Sequence, residues 1–280
     1  IALSNIRLSD KKIALETLEN GNFILSGCYK DEEDEGNGYY INFLQQFNQE
    51  NEPIGIKSIF SKNTNMANIS DNITSHSDGG YTYVWDNYNG SYRNDIYMQH
   101  FDENGTPTSD QIMVNTYQTS YQDSPSITTL INGDYVVAWE SWGQTNWNDI
   151  YYQHYRADGT ILIEESIVNT STNRSQNQAK TTSLSNGGYV ISWASDHIDR
   201  NENIFFQCFD SNGNKLGNEV QVNQINEYEN YYASVEAFEN GKFAIVWMKE
   251  LDHRDDNIKL YSRMYDNDGT PLTEETDMLS

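Results

Sequence analysis

Gly133-Asp134-Tyr135-Val136-Val137-Ala138-Trp139 and, 54 residues later, Gly187-Gly188-Tyr189-Val190-Ile191-Ser192-Trp193 are the same phrase in two spellings. It occurs again at Gly79-Gly80-Tyr81-Thr82-Tyr83-Val84-Trp85 and at Gly241-Lys242-Phe243-Ala244-Ile245-Val246-Trp247, so four tryptophans stand at a constant spacing of 54 residues. A divergent copy, Gly21 to Gly27, carries Gly27 where the others carry Trp. Self-similarity at a fixed period of this length is the signature of a repeat architecture, and it takes precedence over any local reading.

Working outward, each copy leads to a second phrase. This runs Ile96-Tyr97-Met98-Gln99-His100-Phe101, then Ile150-Tyr151-Tyr152-Gln153-His154-Tyr155, then Ile204-Phe205-Phe206-Gln207-Cys208-Phe209. A turn follows at Asn104-Gly105, Asp158-Gly159, Asn212-Gly213 and Asp268-Gly269. The unit closes at Val114-Asn115, Val168-Asn169 and Val222-Asn223. Glycine turns between β-branched and aromatic runs predict four antiparallel strands per unit. The tryptophan strand is apolar on both faces, which a sandwich strand with one solvated face is not. A strand covered on both sides belongs between equivalent sheets, so the expected fold is all-β, a five-bladed β-propeller with repeats of 54–58 residues.

The expected organisation is a single domain over 1–280, with units at 11–65, 66–119, 120–173, 174–227 and 228–280. Lys11–Glu19 has local helix propensity, but the register assigns it to the first strand of the first unit. Met278-Leu279-Ser280 matches the closing strand, and Ile1 to Asn5 resembles that strand too. Either a blade shared between the termini or an excerpt of a longer array fits this. The chain reads as a mature protein or an excised domain.

Composition excludes several classes. A net charge of −25 repels phosphate backbones and anionic headgroups, so neither nucleic acid nor membrane insertion is expected. The longest apolar runs are too short to span a bilayer. Cys28 and Cys208 are too few for a disulfide framework or a cysteine-rich zinc site and read as small buried hydrophobes.

The phrases GGYVxxW, IYxQxFD and DGTPL followed by VN resemble tandem repeats of large secreted or surface-attached bacterial proteins, including calcium-rich adhesins of the RTX type. The resemblance spans nearly the whole chain and is best from Gly79 to Asn223. It implies an extracellular binding or spacer module and supplies no catalytic residues.

Function is expected on the face carrying the long connections. Their aromatic residues include Tyr88, Tyr92, Tyr121, Trp142, Trp147 and Tyr231, taken together as the candidate ligand-binding set. Two roles fit such rings: packing against neighbouring loops, or stacking on the C–H face of a sugar while nearby amides and carboxylates bond its hydroxyls. Glycans or cell-surface glycoproteins are thus the expected partners, with several weak sites acting together. The column Gln45, Gln99, Gln153, Gln207 is expected to satisfy backbone groups. The column Asp95, Asp149, Asn203, Asn257 is expected to form turns. Asp102 to Gly105 and Asp266 to Gly269 begin like calcium loops but lack the later acidic ligands, so hairpin turns are expected and no cofactor is assigned, with calcium left as the alternative. Six sequons occur, at Asn68, Asn72, Asn89, Asn104, Asn169 and Asn173. No nucleophile–base motif is present, and no acidic residue stands out as breaking the repeat. The sequence therefore predicts a secreted, non-enzymatic recognition or adhesion module. One alternative is a structural subunit that self-associates into an extracellular layer or filament. A glycoside hydrolase is the other.

Overall fold

A computed structural model describes residues 13–18, 20–30, 40–63, 73–88, 93–198, 200–224, 228–251 and 258–279. Every regular element among them is a β-strand, twenty in all, in five four-stranded antiparallel sheets. The fold is thus all-β, with the five four-stranded blades of the propeller class.

The first blade comprises β1 (Ile13–Thr17), β2 (Phe23–Lys30), β3 (Tyr40–Phe47) and β4 (Pro53–Asn63). The second comprises β5 (Ile73–Ser75), β6 (Tyr81–Tyr88), β7 (Asn94–Phe101) and β8 (Ile112–Met113). The third comprises β9 (Gln122–Thr129), β10 (Tyr135–Trp142), β11 (Asn148–Tyr155) and β12 (Ile161–Ile167). The fourth runs β13 (Gln176–Ser183), β14 (Tyr189–Ser195), β15 (Asn203–Phe209) and β16 (Lys215–Gln221). The fifth runs β17 (Asn230–Phe238), β18 (Lys242–Glu250), β19 (Ile258–Asp266) and β20 (Thr276–Asp277). The chain divides into two compact units, Ile1–Pro125 and Ser126–Ser280. β1 lies in the stretch with helix propensity, so pairing with β2 overrides the local preference. Ile1 to Asn5, the candidate closing strand, lie outside the described residues.

Strands one and two of each blade join through a glycine in the left-handed region, such as Gly187 at φ 88°. The second glycine of the pair is needed for a different reason. A Cβ on Gly188 would lie 2.3 Å from the Phe209 carbonyl oxygen, so the strand beside it tolerates no side chain there.

Within the second unit, Tyr189, Ile191, Trp193, Phe205 and Phe209 of the fourth blade pack on Val136, Ala138, Ile150 and Tyr152 of the third. The fourth blade's other face, with Val190, Ala194, Ile204, Phe206 and Cys208, packs on Phe243, Ile245, Trp247 and Tyr265 of the fifth. All seven residues of β14 are consequently buried. In the first unit Tyr81, Tyr83 and Trp85 meet Leu18, Ile24 and Leu44. The fifth blade departs from two-sided burial: β18 alternates, burying Phe243, Ile245 and Trp247 while Met248 is 39% exposed. Cys208 is buried and unbridged, its thiol pushed up to about 12 by burial, as suits a small hydrophobe.

The glutamine column repairs the blade edge. The β15–β16 register slips between Phe206 and Cys208, opposite Gln207, where the fourth strand bulges. Gln207 Nε2 donates to the Leu216 and Cys208 carbonyls at 3.0 and 2.9 Å, restoring a ladder bond that the bulge removes. Gln45 reaches the Ile54 carbonyl, and Gln99 that of Ser109, in the same manner. Arg263 takes the position in the fifth blade and donates to the Thr273 carbonyl.

The column Asp95, Asp149, Asn203 does not form turns as expected. These residues lie buried in the third strands, and each accepts from the asparagine of the Val-Asn phrase. Asn115, Asn169 and Asn223 donate Nδ2 to them at 2.8, 2.7 and 2.7 Å, and their Oδ1 atoms accept the N–H groups of Ile96, Ile150 and Ile204. The correction has a simple cause: a buried amide with both a donor and an acceptor can clip the last strand to the third where the backbone ladder ends. Asn257 lies outside the described residues. In the fifth blade, Met278 N–H donates to the Leu260 carbonyl as Val222 N–H does to that of Ile204, so Met278 takes the valine position.

Candidate functional site

The first strands of the third, fourth and fifth blades each carry a non-glycine residue in the left-handed region at one repeated place: Ser124 at φ 55°, Gln178 at 61° and Tyr232 at 53°. The pairing slips there, between Asn177 and Lys180 in β13 and between Tyr231 and Ser234 in β17. A backbone held in this region costs about 1–3 kcal/mol and persists only where surrounding contacts over-determine it.

In the second unit those contacts form an arc across three blades. Glu140 of β10 accepts the Gln178 backbone N–H through Oε1 at 2.8 Å. Gln178 Oε1 then accepts the Tyr232 backbone N–H at 2.7 Å. Asn177 Oδ1 accepts from Asn148 Nδ2 at 3.0 Å, and the Asn177 side chain also hydrogen-bonds the Glu202 carboxyl. Glu202 N–H donates to Glu229 Oε2 at 2.7 Å. Burial raises the Glu202 carboxyl above its ordinary range, as do Glu229 and Asp196, while the Asn177 hydrogen bond opposes the shift. Three carboxylates, three amides and a strained backbone thus meet at the entry to the first strands, beside the long connections.

Aromatic rings border the arc. Trp142 lies two residues beyond Glu140 in β10 and so on the same face, and it is 44% exposed. Tyr232 is 63% exposed and meets the Tyr231 ring edge-on, 5.1 Å between centroids. Trp147, also 44% exposed, closes the β10–β11 connection just before Asn148. Trp142, Trp147 and Tyr231 of the candidate set all lie in the second unit, at the end of β10, just before β11 and in β17. Tyr121, 42% exposed, belongs to the first unit. There Asp123 Oδ1 accepts from Asn94 Nδ2 at 2.6 Å, the counterpart of the Asn148–Asn177 contact, and burial raises the Asp123 carboxyl. Tyr88 ends β6 with its side chain outside the described residues, and Tyr92 lies outside them altogether.

Sequence reasoning missed Glu140, Asn177, Gln178, Glu202 and Tyr232 as members of one site. A column-by-column reading carries part of the signal. The residue after each tryptophan is Asp86, Glu140, Ala194 and Met248, and the column of Asn94 and Asn148 continues as Glu202. Asp86 and Glu140 keep the acid of their column, whereas Glu202, in the connection before β15, departs from the asparagine of its own.

Asp102 and Asp266 behave as turn residues. Asp102 Oδ1 accepts the N–H groups of Asn104 and Thr106, and the Gly269 N–H donates to the Asp266 carbonyl. Among the described residues, no three acidic, histidine or cysteine side chains converge as metal ligands. Of the sequons, Asn169 is buried in its clip, whereas Asn104 and Asn173 are exposed; Asn68, Asn72 and Asn89 lie outside the described residues. No described helix is long and apolar enough to cross a membrane.

No protein-family model and no curated protein matches this chain. Solved structures do resemble it. A Dyadobacter fermentans protein of unknown function aligns at TM-score 0.64 and 9% identity, covering 91% of this chain and 76% of that one. An α-L-arabinofuranosidase from Lactobacillus brevis aligns at 0.51 and 11% identity, covering 94% and 93%. The polysaccharide lyase Uly1 aligns at 0.50 and 11% identity over 91% of this chain, which spans 58% of the lyase. At these identities the likeness is one of fold.

Proposed function

We propose that this chain is a carbohydrate-binding propeller that recognises glycans on its long-loop face, acting by binding without turnover in an extracellular, adhesive setting. The observation that carries the reading is the placement of exposed Trp142 and Tyr232 beside the amide–carboxylate arc of Glu140, Gln178 and Asn177. An aromatic face suits the apolar side of a pyranose or furanose, and fixed amides and carboxylates suit its hydroxyls. Two of the structural neighbours named above, an arabinofuranosidase and a polysaccharide lyase, are named for carbohydrate chemistry, which supports the ligand class.

A glycan array compares wild type with a Trp142→Ala/Trp147→Ala variant. Loss of signal in the variant is the expected result, and equal signal from both proteins removes these loops from the argument. A second reading, glycoside hydrolysis, is favoured by one observation: Glu202, with its raised carboxyl, and Glu140 both reach the stretch Asn177–Gln178. Turnover of chromogenic glycosides that is lost in Glu140→Gln and Glu202→Gln would replace the binding reading with this one.

A further inference from the structure

In the second blade, one buried hydroxyl serves two histidines. Thr82 Oγ1 lies 2.6 Å from His76 Nε2 and 2.7 Å from His100 Nδ1, and Thr82 is fully buried. The chain crosses the blade: His76 follows β5 at the tight turn, Thr82 is on β6, and His100 is its direct partner on β7. The two ring centroids are 6.2 Å apart. The arrangement is no property of the repeat, because the third blade has Leu130 and Val136 in place of His76 and Thr82 while keeping His154.

We propose that His76, Thr82 and His100 form a proton-operated joint in the second blade, closed while at least one ring is neutral and opened when both carry charge. A hydroxyl has one hydrogen to give. With one ring presenting an N–H and the other a bare nitrogen, the oxygen accepts from the first and donates to the second. A single added proton leaves this pattern intact. A second proton makes both rings donors, so the Thr82 hydrogen faces no acceptor in a buried place and two cations stand side by side.

Among the described residues, carboxylates lie on or beside the elements of the joint. Asp78 on the β5–β6 turn favours charge on His76. Glu103 packs its side chain at Gly79 on the same turn. Asp102 follows His100 by two residues, and Glu16 of β1 hydrogen-bonds Ser75, next to His76. Burial nevertheless lowers both rings below the ordinary histidine value of 6.5, and the charge of His100 lowers His76 further. The sign follows from linkage. The unfolded chain binds more protons than the folded one, so the stabilisation is complete above about pH 6.5 and is lost as pH falls through the lowered folded values.

The test is urea unfolding of the full chain from about pH 7.5 to about pH 4.5, comparing wild type with His76→Leu/Thr82→Val, which copies the third blade. For wild type the folding equilibrium is expected to fall by up to about tenfold per pH unit for each histidine, and the variant to fall less steeply. Equal slopes overturn the proposal. Should the variant fail to fold, the ring protons of wild type decide by NMR. Two coupled steps below the ordinary value are expected, and independent titration of both rings at the ordinary value overturns the joint.

Discussion

Asn223 is a side chain that behaves as backbone. Its Oδ1 accepts the Ile204 N–H at 2.9 Å, its Nδ2 donates to Asn203 Oδ1 at 2.7 Å, and it is almost wholly buried. The amide therefore extends the pairing of the fourth strand by one rung beyond its last ladder bond. Truncation leaves the Ile204 N–H buried without its acceptor, a loss of about 1–3 kcal/mol. For Asn223→Ala we expect a destabilisation in that range, read as a shift in the urea midpoint with an unchanged slope. A change below about 0.5 kcal/mol, typical of a surface site, would show that the clip contributes little. The Val-Asn phrase is visible in the sequence as a repeat. Its role is not, because the partner lies 20 residues upstream in a column that reads equally well as a turn.

At the scale of the strand, the fourth strands bulge and a buried amide compensates. In β16 the bulge is accommodated by Gly217 at φ 67°, and Gln207 supplies the donor that the displaced backbone cannot. Gln207→Leu conserves much of the volume but leaves the Leu216 carbonyl without this donor. The expected cost is about 1–3 kcal/mol, with faster amide exchange confined to Lys215–Gln221. Unchanged exchange there would mean the bulge holds without the amide. Strand number, tight turns and the tryptophan column were legible because a glycine at a fixed period is a local, self-repeating signal. The bulges were not, since their placement differs between blades: both extra residues of β16 fall opposite Gln207, between Phe206 and Cys208, whereas β12 carries one on each side of His154. The site divides similarly. Trp142 and Trp147 stood out as large rings in a connection between strands. The Glu140–Gln178–Tyr232 arc depends on a left-handed backbone and on reach between blades, neither of which leaves a mark in the local sequence.

For the whole molecule the dominant physical fact is the charge of −25. Few cations offset it, and some of those are already committed: Lys249 is buried against Glu275 beneath the Tyr261 ring, Lys259 pairs with Asp277, and Arg263 donates to the Thr273 and Val222 carbonyls. The remaining acids repel one another across the surface, and folding brings them closer than the extended chain does. Salt weakens that repulsion, since the screening length shrinks from about 30 Å at 0.01 M to about 8 Å at 0.15 M. The thermal midpoint is therefore expected to rise by a few degrees over this range, as about 1 kcal/mol of relief gives in a chain of this size. A calorimetric series in sodium chloride checks this, and a flat or falling midpoint would show that self-repulsion does not limit stability. Repeating the series with calcium chloride at matched ionic strength separates screening from coordination. Equal shifts mean the acidic loops respond only to the ionic atmosphere, whereas an additional rise that saturates with calcium means that some of them bind the ion and hold it only when folded.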